Sequence, residues 1–368
     1  MRRLLFPLLF FLLLTSSCHV VRYVWWNFAD IHDSKKFPSV PVAKSTKSKP
    51  LFHYLPGVVI TLPDAFIDKN KHVSFETFLA DHKSVAFLVL RNDSLVYEQY
   101  FAGFSKESVL PSFSVAKSFV SALVGIAIHE GKIKSVDQPV TDFLPELSDS
   151  GFHMVTLKDL MEMRSGIRFN EGYTNPFGAM GKFYYGLNLK RYTLHLKTQQ
   201  PPGMQYNYQS ANTQLLAMAL ERATGRKLPE YFAEKIWQPM GTEYDASWSV
   251  DSKNHMEAKA FCCLNARAID FAKFGEVFLH HGILGGDTII PPAWVKESLQ
   301  ITNDSKDSQG YPYTYHWRTL PGGDFFAKGI LGQYIYVCPA KNIVIVRFGK
   351  KAGGVAWGKL FRQIIQEM

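Results

Sequence analysis

The sequence is poor in cysteine and lacks the features that mark several classes of protein. Only 4 of its 368 residues are cysteine, and two of them, Cys262 and Cys263, are neighbours. We find no zinc-site spacing, no His/Asp/Glu cluster at metal-ligand spacing and no phosphate-binding loop, so we predict no metal and no cofactor. Because a bond between neighbouring cysteines strains the backbone, we expect Cys262 and Cys263 to be buried, unbridged side chains.

The chain also lacks the concentrated positive charge of a nucleic-acid-binding protein. Its formal net charge is +9, but lysine runs occur only around positions 35–36 and 44–49. A nucleic-acid groove needs basic residues gathered on one face, so we predict no nucleic-acid partner. With 46% hydrophobic residues and no repeats, the composition indicates an ordinary globular protein of enzyme size.

An apolar run near the N-terminus, Leu4–Leu14, is too short to span a bilayer. It follows two arginines and precedes Ser16-Ser17-Cys18, a small-residue cleavage signal. Because this site ends in cysteine, it resembles a bacterial lipoprotein box, in which Cys18 becomes the lipidated first residue. We predict a signal peptide over 1–17 and an exported protein of the bacterial envelope or periplasm, bound to a membrane through Cys18. Plain cleavage with an incidental cysteine is the alternative.

The segment after this signal is polar and carries prolines and lysines. Its composition over Asp33–Pro50 suits an extended linker that lifts the body of the protein off a membrane. We therefore predict a lipid-anchored or flexible linker over 18–50 and a single globular domain over 51–368.

Two hairpin patterns lie far apart in this domain. Ser84–Phe101 alternates around the turn residues Asn92-Asp93, and Tyr334–Gly349 repeats the pattern before a closing helix. The residues between the hairpins are mainly helical in pattern. Strands at both ends imply one sheet made of chain-distant pieces, so we predict an α/β fold of the α+β type, with an antiparallel sheet flanked by helices and an inserted, mainly helical region.

A lysine follows Ser114 by three residues in "PSFSVAKSF", at the start of an apolar helix. Residues at this spacing share a helix face, and apolar surroundings favour the neutral, proton-accepting form of Lys117. Lys117 could then take the proton of Ser114, while the unpaired amide of Ser114 stabilises an oxyanion. A surface helix start with an exposed lysine is the alternative, because so short a motif also arises by chance.

Three further segments accompany this Ser-x-x-Lys box: "ALVGIAIHEGKIKSVDQPVTDFLPEL", "VTLKDLMEMRSGIRF" and "PPGMQYNYQSANTQLLAMALERATGRKLPEYFAEKIWQPMG". Together they resemble the serine β-lactamase-like superfamily, which shares the class C β-lactamase and penicillin-binding-protein fold. Within it the chain is most similar to 6-aminohexanoate-dimer hydrolases and related esterases. The similarity runs from about Phe75 to the C-terminus. It implies a β-lactamase/transpeptidase-like fold and a serine hydrolase that cleaves an amide or ester bond of a small-molecule or peptide substrate.

The resemblance also implies roles for individual residues. Ser114 matches the acylated nucleophile and Lys117 its activating partner. The second motif of the family matches Tyr208-Gln-Ser210, in which Tyr208 passes a proton to the leaving group. Ser210 is a possible substrate-binding residue, with a helix N-cap as the alternative.

The third motif departs from the family pattern. The matching stretch is Ala327-Lys328-Gly329, which has alanine where the family usually has a cation. Gly329 is retained as a possible substrate-binding residue, and the backbone N–H of Ile330 would join that of Ser114 in the oxyanion hole. Strand alternation predicts that Lys328 points to the other face and is solvated. The departure places recognition of a substrate carboxylate in doubt, but not acyl transfer.

An aromatic segment, "EGYTNPFGAMGKFYYG", looks like a loop over the pocket, so Tyr173 and Tyr184 are possible substrate-binding residues; plain packing is the alternative. Other functions stay open at this point. They are a β-lactamase, a D-alanyl-D-alanine peptidase, and a non-catalytic penicillin-sensing or peptidoglycan-binding domain. The altered third motif and the Cys262-Cys263 pair favour the non-catalytic alternative.

The lipoprotein-like box generates the first prediction. We expect the product in its native host to carry a diacylglyceryl group on Cys18 and to sediment with membranes. Mass spectrometry of the N-terminal peptide measures the modification, and a Cys18→Ser variant should lose both the added mass and the membrane fraction. A soluble mature chain with a free Cys18 thiol would contradict the prediction.

Overall fold

The computed structural model describes residues 18–47, 53–55, 57–67 and 73–368. The predicted signal peptide, residues 1–17, and the side chain of Cys18 lie outside this description. The α-helices of the described residues are α1 (Cys18–Trp26), α2 (Phe75–Asp81), α3 (Ala116–His129), α4 (Leu157–Met161), α5 (Ala179–Tyr185), α6 (Leu189–Leu194), α7 (Ser210–Thr224), α8 (Leu228–Phe232), α9 (Ala268–Leu279), α10 (Pro292–Ser298) and α11 (Trp357–Glu367).

The strands of the described residues are β1 (Ser39–Val42), β2 (His53–Tyr54), β3 (Ser84–Arg91), β4 (Ser94–Tyr100), β5 (Leu110–Pro111), β6 (Ala246–Ser249), β7 (Leu264–Ala266), β8 (Ile283–Leu284), β9 (Asp287–Thr288), β10 (Tyr313–Thr314), β11 (Trp317–Thr319), β12 (Phe325–Gly329), β13 (Gln333–Cys338) and β14 (Ile343–Gly349). Eight of them form the main sheet, in the order β10-β11-β12-β13-β14-β3-β4-β2. All neighbours in it are antiparallel except β2 and β4.

The main sheet joins the two ends of the domain, as the sequence predicts. Strand β14 pairs with β3 through a register that places Ile343 opposite Arg91. The β3–β4 hairpin turns at Asn92 and Asp93, whose φ values of 49° and 59° are left-handed. This is the conformation of the two-residue turns that match strand twist. The antiparallel sheet, its distant strands and the flanking helices confirm the predicted fold class.

Helices cover both faces of the sheet. On one face, α9 packs so closely that a Cβ on Gly275 would lie 2.6 Å from a methyl carbon of Val344. Buried residues of α3, from Ala116 to Ala127, fill the core between α9 and the remaining helices. On the other face, α2 and α11 enclose a second core that includes Trp357. No helix in the part of the chain that the structure describes is both long and apolar enough to cross a membrane.

The segment before the domain differs from the linker that we predicted over 18–50. Residues 39–42 form the edge strand of a four-stranded sheet, β1-β6-β7-β5, and Val42 is completely buried. Proline has no N–H to donate to a neighbouring strand. Pro41 is tolerated because its strand lies at the edge of the sheet, where one side has no strand to pair with. Asp33 is buried as well and accepts a hydrogen bond from the hydroxyl of Tyr184. The prediction failed because it considered the average polarity of the segment. A few apolar side chains at alternating positions decide whether an edge strand pairs.

One ionic group ties the β3–β4 turn to the end of α9. His280 Nε2 lies 2.5 Å from an oxygen of Asp93 and 3.3 Å from an oxygen of the buried Glu276. The hydrogen bond with Glu276 raises the pKa of His280 to about 9, against the cost of burial. Burial raises the pKa of Glu276. The group is a His/Asp/Glu cluster of the kind that could hold a metal ion, and sequence spacing could not reveal it because Asp93 is distant in the chain.

This cluster generates a prediction about stability and pH. Because the folded-state pKa of His280 is about 9, above the ordinary value near 6.5, its contribution should be complete below pH 6.5 and disappear as the pH rises through 9. We expect His280→Gln to lower the unfolding free energy by at most about 1 kcal/mol at pH 6, since the side chain is partly exposed. At pH 9.5, thermal unfolding should show almost no difference in stability between His280→Gln and the wild type.

The exposed neighbour His281 provides the control. His281→Gln should leave the melting temperature unchanged at both pH values. Equal losses for His280→Gln at pH 6 and pH 9.5 would show that His280 acts through packing alone.

Candidate active site

Ser114 stands in a short 3-10 turn, Phe113–Val115, directly before α3. It is the one residue between Leu110 and Ala127 that is not buried. The preceding Phe113 has a φ of 44°, in the left-handed region that costs a bulky residue about 1–3 kcal/mol. The fold therefore bends the chain sharply at this point and leaves the hydroxyl of Ser114 accessible at the end of a buried helix.

Lys117 lies one turn further along, with 1% of its surface exposed. Its Nζ donates to Ser114 Oγ at 2.9 Å, to Ser210 Oγ at 3.3 Å and to the backbone oxygen of Phe261 at 2.7 Å. These three acceptors are uncharged. The contact with Ser114 is within proton-transfer distance, and the exposed-lysine alternative is wrong.

Tyr208 lies beside this pair. Lys117 Nζ is 5.1 Å from the centre of the Tyr208 ring, and the tyrosine is half-buried. The next residue, Gln209, donates two side-chain hydrogen bonds to the backbone oxygens of Ile167 and Phe169, at 3.0 and 2.8 Å. These bonds fix the turn into α7 and hold the Tyr208 ring next to Lys117.

Ser210 joins Lys117 to a carboxylate that the sequence analysis missed. Ser210 Oγ donates to Glu171 at 2.6 Å, and its backbone N–H donates to the other Glu171 oxygen at 2.7 Å. The hydroxyl of Tyr173 also donates to Glu171, at 2.7 Å. The N-cap of α7 is Gln209 and not Ser210, so the N-cap alternative is wrong. The only sequence signal for Glu171 was its place at the start of the aromatic segment.

Gly329 brings the end of β12 against the turn that carries Ser114. A Cβ on Gly329 would lie 2.7 Å from the backbone oxygen of Ser112 and 3.2 Å from the backbone nitrogen of Ser114. A side chain would therefore force the two segments apart. The close approach places Ile330, the residue after Gly329, beside the turn that carries Ser114.

Lys328 differs from the prediction that it points away from the site. It lines a cleft of about 430 Å³ together with Tyr208, and its Nζ donates to the side-chain oxygen of Gln309 at 2.6 Å. Strand β11 pairs with β12 only as far as Phe326, and of the three residues that follow in β12, Lys328 lines the cleft. Partial burial, together with a nearby arginine, lowers the pKa of Lys328 to about 8.

That arginine is Arg318, on β11, and the sequence analysis missed it too. Its guanidinium carbon is 5.8 Å from the centre of the Tyr208 ring, and its Nε donates to Asp307 at 2.6 Å. The expected cation position, Ala327, is completely buried in the core. The neighbouring strand therefore supplies a positive charge next to Tyr208 that the third motif itself lacks.

Tyr173 and Tyr184, predicted to bind substrate, line one apolar cavity together with Ile330. The cavity has a volume of about 210 Å³. Tyr23 and Phe28, from the segment predicted as a linker, form part of its wall. The hydroxyl of Tyr184 donates to a carboxylate of that segment and holds the two parts of the wall together.

Cys262 and Cys263 form a disulfide, contrary to the prediction of two unbridged side chains. Both residues are buried, as expected. Cys263 takes a left-handed φ of 77°. The prediction failed because it considered only the strain of bridging neighbours and not the fold around them, which holds the backbone of this turn in place.

Comparisons with known proteins agree with this geometry. Residues 74–366 match the profile of the Beta-lactamase family. The 6-aminohexanoate-dimer hydrolase of Paenarthrobacter ureafaciens is 28% identical over 346 residues, which cover 88% of this chain and 84% of that protein.

Two solved structures have a similar fold. A provisionally named 6-aminohexanoate-dimer hydrolase from Bacillus anthracis superposes with a TM-score of 0.79 at 24% identity, over 94% of each chain. A class C β-lactamase mutant superposes with a TM-score of 0.61 at 14% identity, over 80% of this chain and 95% of its own.

These likenesses confirm both the fold and the resemblance drawn from the sequence motifs. The profile match spans most of the chain and includes the Ser114–Lys117 pair, Tyr208 and the end of β12. The similar curated protein is a named hydrolase. The chain therefore belongs to the β-lactamase family, and it is a serine hydrolase.

Proposed function

We propose that this hydrolase cleaves amide or ester bonds through an acyl-enzyme on Ser114. The observation that carries the proposal is the 2.9 Å contact between Lys117 Nζ and Ser114 Oγ, made by a buried lysine to a serine that remains accessible. No cofactor is needed, because these side chains and the backbone supply the base, the nucleophile and the oxyanion donors.

In the acylation step, Lys117 Nζ accepts the Ser114 proton while Oγ attacks the substrate carbonyl carbon. The hydrogens that Nζ itself carries stay directed at Ser210 Oγ and the Phe261 carbonyl. The carbonyl oxygen becomes an oxyanion between the backbone N–H groups of Ser114 and Ile330. The C–N or C–O bond then breaks, and Tyr208 passes a proton to the leaving group. A water molecule then attacks the carbonyl carbon of the acyl-enzyme in the same way, which releases the acid and restores the Ser114 hydroxyl.

Glu171 and Ser210 act on this step by positioning Lys117. The hydroxyl of Ser210 donates a hydrogen bond to Glu171. The lone pairs of Ser210 Oγ therefore remain free to accept a hydrogen bond from Lys117. This leaves the Ser210 hydroxyl as a fixed acceptor that keeps Nζ directed at Ser114. Ser210 is therefore a positioning residue in this mechanism, and Glu171 orients it.

The apolar cavity beside Ile330 favours a substrate with an apolar acyl group. Its aromatic walls offer burial of about 25 cal/mol per Å² of apolar surface and few polar partners. A relative named for the hydrolysis of a 6-aminohexanoate dimer supports a linear amide as one substrate class, and short esters would fit by the same chemistry.

An anchored location in the cell envelope is part of the proposal. On α1, next to the predicted lipid attachment at Cys18, Val24 and Trp25 are 71% and 82% exposed. Exposed apolar side chains beside an acyl chain suit the membrane–water interface, where tryptophan is favoured. The lipid anchor would then place the enzyme at a membrane surface.

A second candidate function is the hydrolysis of β-lactams or D-alanyl-D-alanine peptides, whose substrates carry a carboxylate. The specific observation in its favour is the pair of cations beside Tyr208, Lys328 and Arg318. Arg318 is already paired with Asp307, and Lys328 binds a neutral amide. Of these two cations, Lys328 is therefore the one whose charge no carboxylate neutralises.

The proposed proton transfers generate a prediction. Lys117→Ala should slow the phosphonylation of Ser114 by a fluorophosphonate, which reports nucleophile activation, by about 10²–10⁴; the adduct is measured in the intact-protein mass. Tyr208→Phe should slow amide hydrolysis more than hydrolysis of p-nitrophenyl esters, whose leaving group needs no proton.

Tyr206 is a matched control because it lines the same cleft and its hydroxyl has no hydrogen-bond partner among the residues that the structure describes. Tyr206→Phe should leave both activities close to wild type. Equal losses on amide and ester for Tyr208→Phe would argue against its role as the proton donor. An intact protein that forms no adduct would favour the non-catalytic alternative.

The two substrate classes generate a further prediction. A well-placed charge-assisted pair contributes on the order of 1.5–3 kcal/mol, roughly tenfold to a hundredfold in rate. Since the third motif lacks its usual cation, we expect kcat/KM for nitrocefin to be at least about tenfold below that for p-nitrophenyl butyrate.

Lys328→Ala tests the second candidate, with the exposed Lys306 of the same cleft as control. We expect Lys328→Ala and Lys306→Ala to leave ester hydrolysis within about twofold of wild type. If the enzyme turns over nitrocefin as well as the ester, and Lys328→Ala alone removes that activity, the protein is a β-lactamase and the proposed substrate class is wrong.

A further inference from the structure

The Cys262–Cys263 disulfide lies between two backbone groups that hold the active site together. The carbonyl of the preceding residue, Phe261, accepts a hydrogen bond from Lys117 Nζ at 2.7 Å. The carbonyl of the following residue, Leu264, accepts from the backbone N–H of Ser112 at 2.8 Å. The two bridged cysteines therefore connect, along the chain, the acceptor of Lys117 to the residue that pairs with Ser112.

Backbone hydrogen bonds hold this link on both sides of the disulfide. The N–H of Cys262 donates to Lys259 at 3.1 Å, and the carbonyl of Cys263 accepts from Ser249 at 2.9 Å. Cys263 keeps a left-handed φ of 77°, which a side chain disfavours and glycine would accept. The surrounding fold and the disulfide together hold a conformation that two free cysteines would not prefer.

We infer that the Cys262–Cys263 pair is a redox-modification site whose disulfide positions Lys117, and that reduction of the pair by a dithiol slows the acylation of Ser114. The inference rests on the proposed function of Lys117. It assigns a positioning role to the cysteines, because neither touches the Ser114 hydroxyl and both act through the carbonyl of Phe261.

The redox step is thiol–disulfide exchange with an external dithiol. A thiolate of the dithiol attacks one sulfur of the pair, the bond between Cys262 and Cys263 breaks, and a mixed disulfide forms. The second thiol of the dithiol then attacks that mixed disulfide and leaves as part of a cyclic disulfide. Two electrons and two protons have passed to the protein, which now carries two thiols. A disulfide oxidant reverses the step.

Reduction acts on Lys117 by changing the distance between its Nζ and the carbonyl oxygen of Phe261. Without the bridge, Cys263 can leave the left-handed φ of 77° that its side chain disfavours, and the turn between Phe261 and Leu264 relaxes. The carbonyl of Phe261 then moves relative to Nζ. A misplacement of about 1 Å at a reacting group can lower a rate by about 10², so we expect a tenfold to hundredfold fall in acylation.

The experiment compares the oxidised full-length protein with the same protein reduced by dithiothreitol. Phosphonylation of Ser114 by a fluorophosphonate, which needs the same activated hydroxyl, reports the acylation rate, and iodoacetamide trapping with mass spectrometry reports the redox state of each cysteine. We expect acylation to fall tenfold to hundredfold on reduction and to recover on treatment with oxidised glutathione. The melting temperature, recorded in both states, separates a local change from unfolding.

Variants make the result specific. Cys338 is a buried free cysteine, so Cys338→Ser should keep the full response to dithiothreitol. The double variant Cys262→Ser, Cys263→Ser should be slow in acylation and insensitive to dithiothreitol. Its pH–rate profile should also shift if Lys117 has moved. Should the double variant fail to fold, the reduction of the wild type decides alone.

Three outcomes would overturn the inference. The reduced protein, alkylated at both cysteines, could acylate at the oxidised rate. The pair could stay bonded in the folded protein at millimolar dithiothreitol, which would make it a structural cross-link. Acylation could fall only together with global unfolding. A failure of the proposed function can be told apart from these outcomes, because the Lys117→Ala variant would then retain acylation in its oxidised form.

Discussion

The arrangement of the site depends on one buried lysine held against one accessible serine. Lys117 Nζ has three acceptors, on the turn before α3, at the start of α7 and in the loop before β7. Each acceptor comes from a different segment of the chain. A buried amino group without hydrogen-bond partners would cost several kcal/mol, so the three segments must come together before Lys117 can occupy this position.

The sheet contributes the other wall of the cleft. Gly329 lets β12 approach the turn of Ser114, and β11 separates from β12 after Phe326. The same divergence opens the cleft in which Lys328 and Arg318 lie beside Tyr208. A local change in strand pairing thus accompanies the positive charge around the tyrosine.

Sequence reasoning succeeded where the signal was local. The turn at Asn92-Asp93, the closing helix and the Ser114–Lys117 spacing depend on neighbouring residues, and the fold retains all of them. It failed where distant residues decide the outcome. Residues 39–42 of the segment predicted as a linker form an edge strand because β6 is available to pair with them, and the Cys262–Cys263 bond forms in a turn held by other parts of the chain.

The sequence by itself determined the fold class and the Ser-x-x-Lys spacing, because periodicity and short spacings follow from backbone geometry. The resemblance of its motifs indicated the family and the Tyr-x-Ser motif. Only the tertiary structure decided which groups surround these motifs. The Phe261 carbonyl is 144 residues from Lys117, and Glu171 is 39 residues from Ser210. Arg318 reaches Tyr208 from a neighbouring strand. No local pattern encodes such contacts, since they exist only once the sheet and the helical region have packed together.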